Sequence, residues 1–244
     1  MSNDAQTVCL VTGANRGLGR EIARRLAANG AFVYLAARHA DEAAMAEAEF
    51  RREGFDVVGI AMDMTRAEQI AVAASRVASE KGRLDVLVNN AGVLIRSGQP
   101  PSKVPMQDIR DTLDTNLLGS IAVMQAFIPL LKASDAGRIV NVSSGLGSIA
   151  QCSDAMYEYA PYKTLAYSVS KAALNAATVL FAEELANTRI KVNAADPGHC
   201  ATDLNGFTGK RTAAQGAAIA VRLATLPDDG PSGGFFDDRG RVPW

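Results

Sequence analysis

The sequence contains few cysteines and few histidines. Its 244 residues include three cysteines, Cys9, Cys152 and Cys200, and two histidines, His39 and His199. The cysteines are odd in number and widely separated, which predicts reduced thiols in a cytoplasmic protein rather than a disulfide framework. The histidines lie far apart without the spacing of metal ligands, so we expect no metal site.

The sequence also lacks the features of a membrane or nucleic-acid-binding protein. Residues 1–7, MSNDAQT, are polar, and no basic segment followed by an apolar run predicts a secretory signal. No uninterrupted apolar run approaches about 18 residues, the length of a membrane span. The net charge of −1 gives no electrostatic reason to expect nucleic acid or an anionic membrane as a partner.

What the chain does contain is a regular alternation of short apolar runs and longer amphipathic segments. Its length fits one α/β domain over residues 1–244. Strands are expected at 7–12, 31–37, 55–62, 83–89, 137–143, 189–195 and 233–236. Helices are expected at 19–30, 41–53, 66–81, 106–133, 164–185 and 212–225. The near-continuous apolar strands predict a Rossmann-type, doubly wound parallel sheet of about seven strands with helices on both faces.

Three glycines follow the first strand and open the first helix, in the segment TGANRGLGREIA. Gly13 can form the turn, Gly17 lets the backbone approach a diphosphate, and Gly19 permits close packing of helix against strand. The N-terminus of the helix then offers free N–H groups to the anion. We expect Asn15, Arg16 and Leu18 of the same loop to contact the dinucleotide.

This TGxxxGxG pattern resembles the glycine motif of the short-chain dehydrogenase/reductase family. The family's other motifs follow in order: NNAG at 89–92, NVSSG at 141–145, a tyrosine with a lysine four residues later, and Pro-Gly at 197–198. The C-terminal quarter, including GPSGGFF and VPW, resembles the family's NADPH-dependent carbonyl reductases that carry an insertion before the tyrosine. The resemblance covers essentially the whole chain.

The second strand bears on the choice between NAD and NADP. An acidic residue usually follows the glycine loop by about 20 positions and binds the ribose hydroxyls of NAD. Here that place reads LAARHA, with Ala36 and Ala37 followed by Arg38. Together with Arg16, Arg38 would suit a 2′-phosphate, so NADP(H) is predicted. The alternative is that both are solvated surface arginines.

The resemblance implies further cofactor contacts along the chain. Asp63 would approach adenine, Gly92 would let the chain pass beside the cofactor, and Thr202 would contact it. The other residues that the motifs assign to this site are Met64, Asn90, Pro197, Gly198, Tyr167 and Lys171. For Asn90 a purely structural role, pairing open backbone groups, is an equal alternative.

The family's active serine maps onto Ser144, but the tyrosine is less simple to assign. Thirteen positions after Ser144, the interval of the family's standard branch, stands Tyr157, which has Pro161 instead of a lysine four residues on. Pro161 also lies inside the pair Tyr159–Lys163 and disfavours the helix that would align the two.

The segment after Pro161 offers a better pair. From Tyr167 onwards, YSVSKAALNAATVLFAEELA contains no helix breaker, so Tyr167 and Lys171 should share one helical face. Residues at about 150–164 are then a short insertion, with Tyr157, Tyr159 and Tyr162 packing or lining the pocket mouth.

The chemistry expected of this pair is proton transfer. A phenol has a pKa near 10, and we expect the Lys171 ammonium and a positive nicotinamide ring to lower the pKa of Tyr167. Ser144 would hold the substrate oxygen while Tyr167 protonates it. The resemblance adds Asn116, in DTNLLGS, as a residue that helps to hold a water beside the lysine. Its alternative reading is a helix-bending surface residue.

These motifs predict an NADPH-dependent oxidoreductase that reduces a ketone or aldehyde to an alcohol. An NAD(H)-linked alcohol dehydrogenase and a non-catalytic NADP-binding sensor remain as alternatives. The expected partner is a small carbonyl or alcohol substrate, and the two long helices could pair copies into a homodimer or homotetramer. Pocket positions suggested by the pattern are Leu94, Leu146, Tyr162 and His199, the last as a lining residue rather than a second acid.

Overall fold

The structure, a computed structural model, describes residues 6–244. Its centre is one sheet of eight strands in the order β3-β2-β1-β4-β5-β6-β7-β8. The strands are β1 (Val8–Thr12), β2 (Phe32–Ala37), β3 (Val57–Ala61), β4 (Val86–Asn89), β5 (Arg138–Val142), β6 (Lys191–Ala195), β7 (Phe235–Asp237) and β8 (Gly240–Arg241). Every residue of β1, β2, β4 and β5 is buried, which confirms that apolar runs without alternation mark strands covered on both faces.

Seven parallel strands were expected, and the eighth was not. β8 pairs antiparallel with β7, with Phe236 opposite Arg241. The Asp237 carboxylate accepts the N–H groups of Arg239 and Gly240, and Gly240 has a φ of 136° that suits glycine in a tight hairpin. A strand of two residues carries no apolar run, so the sequence pattern contains nothing to predict it.

Eight α-helices connect the strands in the described chain. They are α1 (Gly17–Ala28), α2 (Ala40–Arg52), α3 (Ala67–Lys81), α4 (Met106–Leu113), α5 (Ser120–Lys132), α6 (Ile149–Ser153), α7 (Leu165–Glu184) and α8 (Ala213–Ala224). On one face of the sheet, Ile22 of α1, Phe50 of α2 and Leu223 of α8 join one buried cluster. On the other face, Val77 of α3 and Phe127 of α5 join a second cluster. Helices on both faces are thus confirmed.

The long helix expected over 106–133 is interrupted. Between α4 and α5 the chain makes a π-helical turn, Asp114–Gly119. Gly119 packs against the loop that follows β3 so closely that a Cβ there would lie 2.8 Å from the Met64 Cβ. The widened turn accommodates this approach and directs Asn116 inward, where it is fully buried. In the sequence, residues 114–119 have the pattern of an ordinary α-helix, and for this reason the sequence did not predict the interruption.

Two stretches, Met106–Lys132 and Leu165–Glu184, are long and apolar enough to cross a membrane by length and composition alone. The sequence predicted no such span, because polar residues interrupt both stretches. In this fold 33% and 50% of their most apolar windows are buried. Their apolar residues are therefore used at least in part for packing inside the protein.

The strand order reverses between β1 and β4, and this reversal determines where a ligand can bind. β1 pairs with β2 on one side and with β4 on the other, all parallel. The chains leaving β1 and β4 diverge, which opens a crevice at the carboxyl ends of the strands. The candidate site lies there.

Candidate active site

The loop between β1 and α1 is shaped by its glycines. Gly13 and Gly17 have φ angles of 64° and 56°, a region that residues with a side chain disfavour. A Cβ at Gly19 would overlap the Gly13 carbonyl oxygen and the Asn90 side chain, so glycine is needed for helix and strand to approach this closely. Arg16 stands at the N-cap of α1 without a capping side-chain hydrogen bond. The first N–H groups of the helix are therefore available to an anion.

Hydrogen bonds join this loop to the residues that follow β4. Asn90 Nδ2 donates to the carbonyl oxygens of Thr12 at 2.9 Å and Gly13 at 3.3 Å. In return, Thr12 Oγ1 accepts the backbone N–H groups of Asn90 and Ala91, each at 2.9 Å. Asn90 thus has the structural role given as an alternative, and it also lines the cavity beside the loop.

A cavity of about 510 Å³ opens over the carboxyl ends of the strands. All the residues that the sequence assigned to cofactor binding line it: Gly13, Asn15, Arg16, Gly17, Leu18, Gly19, Arg38, Asp63, Met64, Asn90, Gly92, Tyr167, Lys171, Pro197, Gly198 and Thr202. Ser144 lines it as well, and so do the suggested pocket residues Leu94, Leu146, Tyr162 and His199. Asn116 is the exception, because it is buried behind the cavity wall.

One end of the cavity carries positive charge. Arg16 and Arg38 are exposed there, and neither forms an ion pair within residues 6–244. Asp63 lies nearby: burial alone would raise the pKa of its carboxyl, but hydrogen bonds from Thr65 and the charge of Arg38 bring it below its ordinary value. This end offers the two arginine cations to a ligand, together with the ionised carboxylate of Asp63.

The other end of the cavity holds Ser144, Tyr167 and Lys171. Helix α7 runs without a break through Tyr167 and Lys171, as predicted, and buries both. The Lys171 Nζ lies 5.7 Å from the centre of the Tyr167 ring and donates to the Val142 carbonyl oxygen at 2.8 Å. The Ser144 hydroxyl faces the Tyr167 hydroxyl, and its oxygen accepts the Leu146 N–H at 3.2 Å.

Burial dominates the electrostatics of this trio. Burial, and next the nearby Asp196 carboxylate, raise the pKa of Tyr167 to about 12, while the Ser144 hydrogen bond lowers it only in part. Burial also lowers the pKa of Lys171 to about 8, which weakens the ammonium as a source of positive charge. The prediction that Lys171 and a positive nicotinamide ring lower the pKa of Tyr167 was made for the complex with the oxidised cofactor, and it stays a prediction.

Asn116 supports the wall behind the lysine. Its side-chain oxygen accepts the Val93 N–H at 2.8 Å, and its Nδ2 donates to the Val93 carbonyl at 3.0 Å and to Ser170 Oγ at 3.0 Å. A Cβ at Gly92 would lie 3.2 Å from the Asn116 oxygen and 3.7 Å from Lys171 Nζ. Asn116 is therefore a buried neighbour of the lysine and not a surface residue, and a role in holding a water stays a prediction.

The insertion forms one wall of the cavity. It comprises α6 and a 3₁₀ turn, Ala160–Tyr162, whose Pro161 prevents the pair Tyr159–Lys163 from aligning on a helix. Lys163 instead donates to the Cys152 carbonyl oxygen at 2.8 Å. The rings of Tyr159 and Tyr162 pack on His199, with centroid distances of 5.9 and 4.5 Å. Tyr159, Tyr162 and His199 line the cavity, as expected of the pocket mouth.

The sequence assigned no role to several charged lining residues, among them Asp196 and Arg96. Asp196, just before the Pro-Gly turn, contributes a carboxylate that is only 8% exposed. Arg96, in the loop after β4, stands at the rim and helps to lower the pKa of His199, after burial as the main cause. Asp196 directly follows a strand, at the carboxyl end of the sheet where ligands bind, so a role in the site could have been predicted for it. Nothing in the sequence around Arg96 indicates such a role.

Comparisons with a family model, with related sequences and with solved structures agree with one another. The family described as short chain dehydrogenase matches residues 7–213. A (+)-neomenthol dehydrogenase of Capsicum annuum is 31% identical, covering 93% of this chain and 94% of its own. The salutaridine reductase of Papaver somniferum is 31% identical, covering 93% of both chains. The crystal structure of an NADPH-bound carbonyl reductase from chicken fatty liver superimposes with a TM-score of 0.86 at 26% identity, covering 98% of this chain and all of that one.

Proposed function

Because this chain belongs to the short-chain dehydrogenase/reductase family, we propose that it is an NADPH-dependent reductase of ketones or aldehydes, with Tyr167 as the proton donor. The observation that carries this proposal is the cavity in which the glycine loop, two exposed arginines and the group Ser144–Tyr167–Lys171 meet. A non-catalytic NADP sensor would have no use for the buried catalytic group.

The residues present fit a nicotinamide dinucleotide with a 2′-phosphate. The uncapped N-terminus of α1 and the glycine loop suit the diphosphate. Arg16 and Arg38 suit the additional phosphate, and no carboxylate follows β2 directly to repel it. When bound, NADPH supplies the hydride that reduces the carbonyl carbon. The NADPH-bound carbonyl reductase with the same fold supports this choice.

In the proposed mechanism, the chain positions and protonates the carbonyl oxygen. The Ser144 hydroxyl donates a hydrogen bond to that oxygen, and Tyr167 transfers its phenolic proton to it as the alcohol forms. The raised pKa of Tyr167 keeps the proton on the phenol near neutral pH. Lys171, fixed on the Val142 carbonyl, is one helical turn away and stabilises the negative charge that develops on Tyr167.

The substrate class follows from the wall of the cavity. This wall presents the rings of Tyr159, Tyr162 and His199. Further apolar surface comes from Leu94 and Leu146. Such a surface favours a compact apolar or cyclic carbonyl compound. The relatives named as a neomenthol dehydrogenase and a salutaridine reductase support a cyclic substrate.

The decisive experiment is the variant Tyr167→Phe, assayed by NADPH consumption with a panel of cyclic ketones and aldehydes. Loss of the proton donor should lower kcat by more than about a hundredfold. The matched control is Tyr162→Phe, which removes a hydroxyl from the same cavity and should change kcat by less than about fivefold. Thermal unfolding and NADPH binding confirm that both variants fold. Unchanged kcat in Tyr167→Phe would rule out the proposed mechanism.

A further inference from the structure

Helix α7 contacts the segment that carries Ser144 through a residue outside the cavity, Asn175. It lies one helical turn beyond Lys171, as Lys171 lies one turn beyond Tyr167. The three side chains therefore follow one another along one side of the helix. Asn175 is 3% exposed and is not among the residues that line the cavity, so it can influence a reaction only through its neighbours.

The Asn175 amide holds the chain on both sides of Ser144. The Ser143 hydroxyl donates to Asn175 Oδ1 at 2.6 Å, and Asn175 Nδ2 donates to the Gly147 carbonyl oxygen at 3.2 Å. Because a carbonyl oxygen can only accept a hydrogen bond, the contact with Gly147 fixes the orientation of the amide. Ser143 and Gly147 are buried, so water cannot readily replace either contact.

Glycine at position 147 brings the same segment against the backbone of α7. A Cβ there would lie 2.7 Å from both the carbonyl carbon and the Cβ of Lys171, and 3.0 Å from the Ala172 nitrogen. The segment therefore touches the helix at Lys171 and is hydrogen-bonded to it at Asn175. Two contacts one turn apart restrict both sliding of the segment along the helix and its rotation about a single contact.

Side chains of α7 reach four consecutive residues at the end of β5. The pairs are Asn141 with Thr178 at 2.9 Å, Val142 with Lys171 at 2.8 Å, Ser143 with Asn175 at 2.6 Å, and Ser144, whose hydroxyl faces that of Tyr167. The first three pairs are buried hydrogen bonds. The bond of Ser143 is the one next to Ser144 in the chain, so it has the most direct control of where the serine lies.

We propose that Asn175 is a positioning residue that holds the Ser144 hydroxyl opposite the Tyr167 hydroxyl. The inference rests on the proposed function, in which both hydroxyls act on one carbonyl oxygen. Such an arrangement tolerates little error, because a misplacement of about 1 Å can cost about a hundredfold in rate. Without the Asn175 amide, the serine segment loses its hydrogen bonds to α7 at Ser143 and Gly147, and the serine should leave the carbonyl oxygen.

The test is a double-mutant cycle of Asn175→Ala with Ser144→Ala, measured as kcat and KM with NADPH and the cyclic ketone that the wild type reduces fastest. Asn175→Ala alone should lower kcat about 30-fold, which is less than the loss of about a hundredfold expected for Ser144→Ala. In the Ser144→Ala background it should lower kcat by less than about twofold, because no hydroxyl is left to be positioned. A 30-fold loss in both backgrounds overturns the proposal.

A matched control is Thr178→Val. It removes a buried hydrogen bond from the same helix, the one to Asn141, and should lower Tm about as much as Asn175→Ala while kcat changes less than about threefold. If Asn175→Ala does not fold, Ser143→Ala takes its place in the cycle. Ser143→Ala removes one of the two contacts of the amide, so we expect a loss of about fivefold that again disappears in the Ser144→Ala background.

Amide hydrogen exchange of the cofactor-free protein tests the same inference without turnover. The N–H groups of Leu146 and Gly147 donate to the hydroxyl and carbonyl oxygens of Ser144, at 3.2 and 2.8 Å. They should exchange at least about fivefold faster in Asn175→Ala than in the wild type, while the N–H groups of β1 stay unchanged. Equal exchange in both proteins overturns the proposal. Faster exchange in a protein whose wild type reduces no carbonyl compound would support the role of Asn175 and contradict the proposed function alone.

Discussion

The two ends of the cavity are built in different ways. The diphosphate end, Thr12–Gly19 with Asn89–Gly92, is held by backbone geometry and by the contacts of Asn90 with Thr12 and Gly13. The carbonyl end, Ser144–Leu146 with Tyr157–Lys171 and Asp196–Cys200, is held by side chains that meet from distant parts of the sequence. A short sequence motif therefore determines the structure of the diphosphate end, whereas the structure of the carbonyl end depends on the assembled fold.

The most severe test of the diphosphate end is Gly19→Ala. The added Cβ would overlap the Gly13 carbonyl oxygen and the Asn90 amide, so loop and helix must separate. We expect NADPH affinity, measured by fluorescence titration, to fall by more than about a hundredfold, since several N–H contacts to the diphosphate are lost together.

The control for this variant is Gly30→Ala. Unlike Gly19, Gly30 has a φ in the left-handed range, 87°, and nothing lies within 4 Å of a Cβ there. This change should cost about 1 kcal/mol of unfolding free energy and leave NADPH affinity unaltered. Equal loss of affinity in both variants would show that the loop responds to general strain and not to its own geometry.

A smaller effect is expected from Arg38→Ala, at the far edge of the diphosphate end. Arg38 is exposed at the cavity wall, and we propose that it binds the 2′-phosphate. Loss of a charge-assisted hydrogen bond should weaken NADPH binding by about 10- to 100-fold while NADH binding stays the same. Arg52→Ala, an exposed arginine at the end of α2, is the control. An unchanged ratio of NADPH to NADH affinity in Arg38→Ala would contradict the phosphate role.

The sequence predicted the diphosphate end of the cavity better than the carbonyl end. The glycine loop and the helix of Tyr167 depend on local rules, so the rejection of Tyr159 because of Pro161 could be argued before the fold was known. The contact of Asp196 with Gly145 could not, because it depends on the pairing of β5 with β6. Likewise, no local sequence pattern indicates how deeply Tyr167 is buried, so the rise that burial causes in its pKa could not be predicted from the sequence.

The smallest expected effect tests whether the carbonyl end depends on mutual fit between distant segments. In Gly145→Ala, the new methyl would overlap the Tyr157 hydroxyl and push the insertion outward. We expect kcat/KM for a cyclic ketone to fall about tenfold, because the cavity wall moves while the Ser144–Tyr167 pair stays in place. NADPH affinity should remain within about twofold, since the diphosphate end is not touched.

The double variant Gly145→Ala/Tyr157→Phe separates this clash from other causes. Removing the hydroxyl gives the methyl room, so the double variant should recover most of the lost kcat/KM, and Tyr157→Phe alone should behave nearly as wild type. The Asp196 and Gln151 oxygens would still lie 2.8 Å from the new Cβ, so recovery should be incomplete. A double variant no better than Gly145→Ala would mean that Asp196 or Gln151, and not Tyr157, is the neighbour that requires glycine.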